Sequence, residues 1–297
     1  MTAAVRWQQQ AERGADWGIA LTVWVARVLG RPAVRIFVLF PLVWFFLTGR
    51  AARKASRDFL ARALGRAPTL REQWRHFRTF ADCALDRVFL LGGGAGFDIR
   101  VHCADHVLAS ARQGGALLLA AHVGSFEAMR VPGARQYQLP ISILMDRAHS
   151  RRFIAAVEGL DPALSDAVID AGEGGPMLVL KLKDVLHRGR LVGVMADRAR
   201  EGEATLAVNF LGARARLPAA PWQLALVLGV PVILGFSVYR GGNRYDTHYE
   251  LFSTGMKPAR EVREAALQTA AQAYADRLAD HVRQAPYNWF NFYDFWA

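Results

Sequence analysis

The sequence has few cysteines, few lysines and no long apolar run. Its two cysteines, Cys83 and Cys103, form no CxxC pair, which excludes a disulfide-rich scaffold and a zinc site built on paired cysteines. The longest clean apolar run, IFVLFPLVWFFL at 36–47, has twelve residues, fewer than the roughly 20 needed to span a bilayer. Residues 1–16 are polar, so we expect no cleavable signal peptide.

What the sequence does contain is apolar and basic. Of its 297 residues 53% are hydrophobic and 21% are charged, which excludes a disordered chain and allows one large α/β domain or two modest ones. The net charge of +11 comes from 33 Arg and only 4 Lys against 26 acidic residues. Such a charge favours an acidic partner, namely nucleic acid, an anionic membrane or an acidic carrier protein.

The N-terminal quarter is typical of a membrane-surface segment. Apolar residues dominate from Trp17 onward, and the run at 36–47 is followed directly by four basic residues at helical spacing: Arg50, Arg53, Lys54 and Arg57. An apolar anchor beside a basic stripe indicates attachment to an anionic cytoplasmic leaflet. The alternative is a buried core helix followed by an ordinary solvated basic helix.

The rest of the chain alternates apolar strands with helices. We predict a helix at 69–90, strands at 97–101, 115–121, 141–145, 191–195 and 230–236, a possible edge strand at 245–252, and a final helix at 261–283. The helices predicted between the strands lie at 104–112, 125–135, 149–158, 176–188 and 218–228. This pattern predicts an α/β fold with a mixed, largely parallel central sheet flanked by helices. We divide the chain into membrane-associated helices at 1–90 and an α/β core at 91–297, packed as one unit. The glycines of LGGGAG (91–96) precede a strand, which is the wrong order for a nucleotide-binding turn.

The segment AAHVGSFEAMR (120–130) carries the chemistry. His122 follows a buried strand, at the edge where open α/β sheets place their sites, and Glu127 falls in the first turn of the next helix. Gly124 and Ser125 are small enough to let a ligand approach closely. We expect Glu127 to hold the imidazole so that His122 acts as a general base on a hydroxyl group. The spacing alone is weak, and the alternative is a core histidine satisfied by a neighbouring carboxylate.

Residues 286–296, PYNWFNFYDFW, form an aromatic tail. Such rings are suited to a membrane interface. They are equally suited to holding the tail against the core.

Taken together, these segments resemble the bacterial lipid A biosynthesis (late) acyltransferases, within the glycerolipid acyltransferase superfamily. The resemblance covers nearly the whole chain, and its blocks occur in family order: LTGRAARKASRDFL (47–60), FDIRVH (97–102), AAHVGSFE (120–127), ILMDRAHSRRF (143–153), VGVMADR (192–198), AVNFLGARARLPAAP (207–221), LGVPVILGFSVYR (228–240) and the aromatic tail. It implies transfer of a fatty acyl chain from an acyl carrier protein to a hydroxyl of a lipid or glycolipid. It further implies His122 as base oriented by Glu127, a catalytic core on the cytoplasmic face of the inner membrane, and no metal, nucleotide or other cofactor.

Other blocks supply candidate substrate-binding residues. Asp146 and Arg147 follow one strand, and Asp197 and Arg198 follow another, so both pairs are expected at the active-site edge. Arg147 could bind a phosphate. The alternative for Asp146 is a surface salt bridge with an arginine. The alternative for Asp197 and Arg198 is a structural role, in which the pair orders the loop and does not contact substrate. The block at 208–218 resembles a family loop that lines the site, which makes Asn209 and Gly212 contact candidates.

The sequence departs from the lipid A enzymes at two blocks. It has Met-Asp-Arg-Ala-His at 145–149 where a tyrosine–arginine–proline pattern is common, and Arg198 follows Asp197 where glutamine is typical. These departures favour the branch of predicted relatives found in pigment and other glycolipid pathways. They leave the identity of the acceptor open.

Three other functions compete with acyl transfer. A thioester hydrolase using Ser125 would require a G-x-S-x-G elbow, which the chain lacks. A non-catalytic membrane adaptor would not need the His122–Glu127 pair. Nucleic-acid binding would explain the charge, but no helix-turn-helix, zinc or ribonucleoprotein signature occurs, so we expect no nucleic-acid partner.

Overall fold

The structure, a computed structural model, describes residues 30–103, 105–112, 114–146, 167–200 and 202–296. The helices are α1 (Gly30–Thr48), α2 (Arg50–Leu64), α3 (Leu70–Leu91), α4 (Asp105–Arg112), α5 (Phe126–Arg135), α6 (Gly175–His187), α7 (Ala220–Leu228) and α8 (Arg263–Gln284). The strands are β1 (Asp98–Cys103), β2 (Ala116–Gly124), β3 (Ile141–Met145), β4 (Val168–Asp170), β5 (Leu191–Met195), β6 (Thr205–Phe210), β7 (Ala213–Pro218), β8 (Val232–Gly241) and β9 (Arg244–Ser253). The helix predicted at 149–158 lies outside the described residues.

One sheet of seven strands forms the centre, in the order β1-β9-β8-β2-β5-β3-β4. Every neighbouring pair is parallel except β8 with β9, so the predicted α/β class with a mixed, largely parallel sheet is confirmed. The suggestion that 245–252 forms an edge strand is wrong, because β9 lies between β1 and β8. Its alternating pattern misled us, since half-buried strands are not confined to sheet edges.

Helices cover both faces of the sheet, which explains why its central strands are continuously apolar. On β2, Leu117 and Leu119 pack on one face with residues of α6, α7 and α8. Leu118 and Ala120 pack on the other face with residues of α4 and α5. Successive side chains of a strand point to opposite faces, so a strand buried on both faces needs apolar residues at every position.

A separate hairpin, β6–β7, replaces the loop that we expected at 208–218. Its two-residue turn has positive φ at both Leu211 (50°) and Gly212 (80°), as a type I′ turn requires. Along β6, Val208 and Phe210 are buried while Asn209 between them is exposed. The alternation was present in the sequence, but a Leu-Gly turn is a weaker hairpin signal than Asn-Gly.

The N-terminal helices pack against this core through α3. A capping box begins α3, in which Thr69 accepts a hydrogen bond from the backbone of Glu72 and the Glu72 side chain binds the backbone of Thr69. Near the other end of α3, buried Asp86 binds Arg31 of α1 and the hydroxyl of Tyr245 on β9. The division of the chain at residue 90 stays a prediction, although α3 crosses it.

Helix α1 is long and apolar enough to cross a membrane by length and composition. One side packs on α3, where Leu42 and Phe77 are buried together. The other side exposes a stripe of large apolar residues: Ile36, Phe40, Trp44 and Leu47, each more than 60% exposed. Arg53 of the predicted basic stripe instead donates hydrogen bonds to the carbonyls of Phe46 and Leu47 at the end of α1.

Candidate active site

Strand β2 carries His122 to the carboxyl edge of the sheet and then turns sharply. Gly124 makes this turn with φ of +60°, and a Cβ there would lie 1.8 Å from the backbone oxygen of Ser237 on β8. Only glycine fits a position with positive φ and such a close backbone. We expected the small Gly124 to let a ligand approach closely, but in the structure the backbone of β8 occupies the space beside it.

His122 is paired with Asp197. The last residue pair of the β2–β5 ladder is Ala120 with Met195, so two residues further along both chains His122 and Asp197 stand level and point the same way. The imidazole Nδ1 lies 2.8 Å from Asp197 Oδ1, and the backbone N–H of His122 donates to Oδ2 at 3.0 Å. A carboxylate only accepts hydrogen bonds, so Nδ1 carries the proton and Nε2 keeps its lone pair.

The imidazole keeps one side open while Asp197 does not. The His122 side chain is 36% exposed and the Asp197 side chain is fully buried. Among the described residues, none hydrogen-bonds Nε2 of His122. The basic nitrogen is therefore the one available to a substrate hydroxyl.

Glu127 does not hold the imidazole, contrary to our expectation. Its carboxylate binds the Nε of Arg87 on α3 and accepts a hydrogen bond from Ser125 Oγ at 3.2 Å. Glu127 falls in the first turn of α5 as predicted. That turn faces α3, and the guanidinium of Arg87 on α3 binds the carboxylate. Asp197, which we had assigned to substrate binding, occupies the position expected for Glu127.

The aromatic tail lies in the core beside this pair, which decides the question that the sequence left open. Trp289 is fully buried, and its backbone forms an antiparallel β-bridge with Val123 of β2. The N–H of Phe290 donates to the carbonyl of His122 at 3.0 Å, and the carbonyl of Asn288 accepts from Gly124 at 2.8 Å. The tail thus adds a short strand segment to β2 where β2 separates from β8.

Burial and charge keep the pair in the form His⁰/Asp⁻. Burial of the ring lowers the pKa of His122, and the positive charge of Arg198 lowers it further against the opposing charge of Asp197. Burial alone would raise the pKa of Asp197, but the electrostatic interaction with the His122 ring, the hydrogen bonds from that ring and from the His122 backbone, and the charge of Arg198 hold it well below its ordinary value. At neutral pH the imidazole is therefore an unprotonated base beside an ionised carboxylate.

The remaining substrate-binding candidates at strand ends are engaged with protein groups. Asp146, after β3, is mostly buried and forms an ion pair with Arg200 at 2.8 Å, as in the alternative that the sequence allowed. Arg198 donates to the carbonyl of Phe290 and lies over the ring of Tyr293. Arg147 lies outside the described residues.

Asn209 and Gly212 line a separate cleft between the β6–β7 hairpin and α8. The cleft has a volume of about 440 Å³ and also includes Gln272, Asp276 and Asp280. Asn209 points to the strand face opposite Phe210, whose ring packs on Trp289 at 5.1 Å. The structure therefore does not bring Asn209 together with His122.

The described ranges contain no group of three or more His, Cys, Asp or Glu side chains that could hold a metal. The expectation of a reaction without metal or cofactor stays a prediction. What the site offers is a neutral imidazole with a fixed tautomer, suited to take a proton from a hydroxyl and return it to a leaving group.

Sequence reasoning missed two contributors to this arrangement. Arg87 had no visible signal, because the approach of α3 to α5 is a tertiary contact. Asp197 did have a signal in the sequence, because it directly follows the apolar run of a buried strand, as His122 does. Each of the two residues lies two positions after a member of the pair Ala120–Met195. The pairing of β2 with β5 was needed to use that signal.

Comparison with known proteins completes the assignment. No curated protein matches the chain. Residues 98–297, about two thirds of the chain, match the family model for the bacterial lipid A biosynthesis acyltransferase. The matched region contains both members of the His122–Asp197 pair and the aromatic tail. The chain therefore belongs to the bacterial lipid A biosynthesis acyltransferase family.

Proposed function

We propose that this acyltransferase moves a fatty acyl chain from an acyl carrier protein thioester to a hydroxyl group of a lipid or glycolipid acceptor. The observation that carries the proposal is the 2.8 Å contact between His122 Nδ1 and Asp197 in a member of this family. The contact leaves Nε2 as an accessible base at the carboxyl edge of the sheet, where open α/β folds bind their substrates.

In the proposed reaction His122 Nε2 takes the proton of the acceptor hydroxyl as its oxygen attacks the thioester carbonyl carbon. The new C–O bond forms and the carbonyl oxygen becomes an oxyanion. Collapse of this tetrahedral intermediate breaks the C–S bond, and the imidazolium returns its proton to the departing thiolate. Asp197 stabilises the imidazolium between these two transfers.

An acyl carrier protein as donor is supported by the charge of the chain. A net charge of +11 favours association with an acidic protein through electrostatic steering. The geometry gives less support to a hydrolase that uses Ser125, since that side chain is buried and donates to Glu127, so it does not stand as a nucleophile beside His122.

The test is thiol release from acyl carrier protein thioesters by wild type and His122→Ala, with and without a membrane-lipid acceptor fraction. We expect acceptor-dependent release that falls by about 10²–10⁴-fold in His122→Ala, while both proteins show the same circular dichroism. Acyl-coenzyme A in a parallel reaction identifies the donor.

Three outcomes would contradict the proposal. Release that does not depend on acceptor would indicate a thioesterase. Release only from acyl-coenzyme A would replace the carrier protein as donor. The absence of release with acyl chains of several lengths would favour a non-catalytic adaptor.

We also propose that α1 attaches the protein to the cytoplasmic face of the inner membrane. The exposed stripe Ile36, Phe40, Trp44 and Leu47 would lie in the lipid, because such a large apolar surface is unfavourable in water. Arg50, Lys54 and Arg57, which follow α1 and are exposed, would face anionic headgroups.

Point substitutions test this attachment better than deletion, since removing α1 would uncover Phe77 and leave Asp86 without Arg31. We expect Phe40→Ser/Trp44→Ser to weaken sedimentation with phosphatidylglycerol–phosphatidylethanolamine vesicles about 10-fold or more. Val227→Ser/Val262→Ser, which removes two exposed apolar residues elsewhere, is the control. Equal binding by the two double variants would contradict a role for α1.

A further inference from the structure

The buried indole of Trp289 is hydrogen-bonded to the carboxylate of Asp197. Its Nε1–H donates to Asp197 Oδ2 at 3.0 Å. The same oxygen accepts the backbone N–H of His122, and the other oxygen binds the imidazole. We propose that Trp289 is a positioning residue, which fixes the Asp197 carboxylate so that Asp197 in turn fixes the tautomer and charge of His122.

Trp289 is itself held rigidly. Its carbonyl lies 2.9 Å from Nε2 of His76 on α3, and the other ring nitrogen of His76 meets Ser56 of α2 at 2.8 Å. Burial lowers the pKa of His76 to about 4, so this ring is neutral and donates from Nε2 to the carbonyl. Three aromatic rings surround the indole at centroid distances of 4.9–5.1 Å: Phe59, Phe210 and Phe295.

A rigid donor at this place has two effects on Asp197. First, it prevents the carboxylate from rotating, because two N–H groups fix Oδ2 and leave Oδ1 aligned with the imidazole. Second, each hydrogen bond to a carboxylate stabilises its charged form and withdraws charge from it. Without the indole N–H, Asp197 would be a stronger proton acceptor, the imidazolium would be stabilised, and the pKa of His122 would rise.

A matched control exists in the same core. Trp222 is also fully buried and packs against Phe252 and Tyr274. Its Nε1 has no hydrogen-bond partner in the part of the chain that the structure describes. Trp289→Phe and Trp222→Phe therefore remove the same atoms from the same kind of site, but only the first removes a donor from Asp197.

The experiment compares kcat, KM and the pH dependence of kcat/KM for these two variants, with the His122 pKa measured by NMR titration. For Trp289→Phe we expect kcat to fall about 10- to 100-fold with KM within about twofold of wild type, and the His122 pKa to rise, which moves the acidic limb to higher pH. Trp222→Phe should keep the wild-type kcat and the wild-type pKa.

A second replacement guards against a folding defect. Benzothienylalanine at position 289 keeps the shape of the indole and replaces only its N–H with sulfur, so it should reproduce the Trp289→Phe kinetics without the cavity that phenylalanine leaves. A folded protein with either replacement at 289 that retains the kcat and His122 pKa of Trp222→Phe would overturn the proposal.

The kinetic part of this inference rests on the proposed acyl transfer, but the titration does not. If wild type released no thiol from any thioester, the proposed function would fail while the His122 pKa could still be compared in all three proteins. A rise confined to the variants at 289 would support the positioning role. No difference between them and Trp222→Phe would overturn it.

Discussion

Two buried carboxylates, Asp86 and Asp197, are both fully enclosed by protein but have different partners. Asp86 binds the guanidinium of Arg31 at 2.6 Å, lies 3.6 Å from Arg35 and accepts from the Tyr245 hydroxyl at 2.8 Å. Asp197 binds an imidazole, an indole N–H and a backbone N–H. One set joins α1 to the sheet, and the other surrounds the candidate base.

The difference lies in what the partners can do. Arginine stays protonated at all accessible pH values, and burial raises the pKa of the Tyr245 hydroxyl far above its ordinary value. The partners of Asp86 therefore stabilise the fold but exchange no proton near neutral pH. An imidazole changes its charge near neutral pH, and that of His122 keeps an accessible Nε2. Burial of a carboxylate is thus not by itself a sign of catalysis; a titratable partner with an open second atom is the distinguishing feature.

The sharpest test of the comparison replaces Asp197 with asparagine. The amide of Asp197→Asn can donate to Nδ1, which would move the imidazole proton to Nε2 and remove the base. We expect kcat to fall by about 10³–10⁴-fold, with the tautomer change visible in the ¹⁵N shifts of His122.

Glu127→Gln is the matched control, because Glu127 was the carboxylate expected from the sequence and binds Arg87 instead. Whatever its effect on turnover, this variant should leave the His122 tautomer unchanged. A tautomer change in Glu127→Gln with none in Asp197→Asn would reverse our assignment of the two carboxylates.

The corresponding change at the other carboxylate should affect stability. Asp86→Asn removes the carboxylate that the partly buried guanidinium of Arg31 binds and one of the two carboxylates that lie near Arg35. We expect the free energy of unfolding to fall by about 2–4 kcal/mol. The rate of the folded protein should stay near that of wild type, since Asp86 does not touch His122.

Asp82→Asn, one turn earlier on α3, provides the reference for this measurement. Asp82 is more exposed than Asp86 and its pairs are longer, 3.7 Å to Arg35 and 3.2 Å to Arg78. When both variants are unfolded by denaturant in one detergent, Asp82→Asn should lose less free energy of unfolding than Asp86→Asn. If Asp86→Asn lost turnover but no stability, the contrast between the two carboxylates would be wrong.

The comparison also shows what the sequence could predict. Continuous apolar runs gave the central strands, with β3 and β5 at their observed bounds, because a strand buried on both faces has no other composition. The same runs placed His122, Asp146 and Asp197 at strand ends. Strand order is not encoded locally, so the sequence could not tell that β5 lies next to β2 and brings Asp197 to His122.

The sequence pattern also failed to predict elements that are short or weakly patterned. The three residues of β4 are too few for periodicity, and the β6–β7 hairpin lacked a strong turn signal. The aromatic tail was conspicuous, yet its composition suited a membrane as well as a core. Only the contacts of Trp289 and Phe290 with β2 distinguish the two.

The smallest effect that we expect comes from Arg198, the residue directly after Asp197. Its positive charge lowers the pKa of His122, so Arg198→Gln should raise that pKa. Since the base acts unprotonated, activity is lost as the pH falls through this pKa. The acidic limb of kcat/KM should therefore move to higher pH, by about half a unit to one unit.

Arg200→Gln makes the same charge change two residues further along the chain. Its guanidinium pairs with Asp146 and is 40% exposed, so solvent screens it from His122 and the limb should stay in place. A limb that moves equally in both variants would show that the net charge of the protein, and not the position of Arg198, sets the pKa of His122. A limb that moves to lower pH in Arg198→Gln would contradict the electrostatic effect of Arg198 on His122, because removing a nearby positive charge can only raise the pKa of the imidazole.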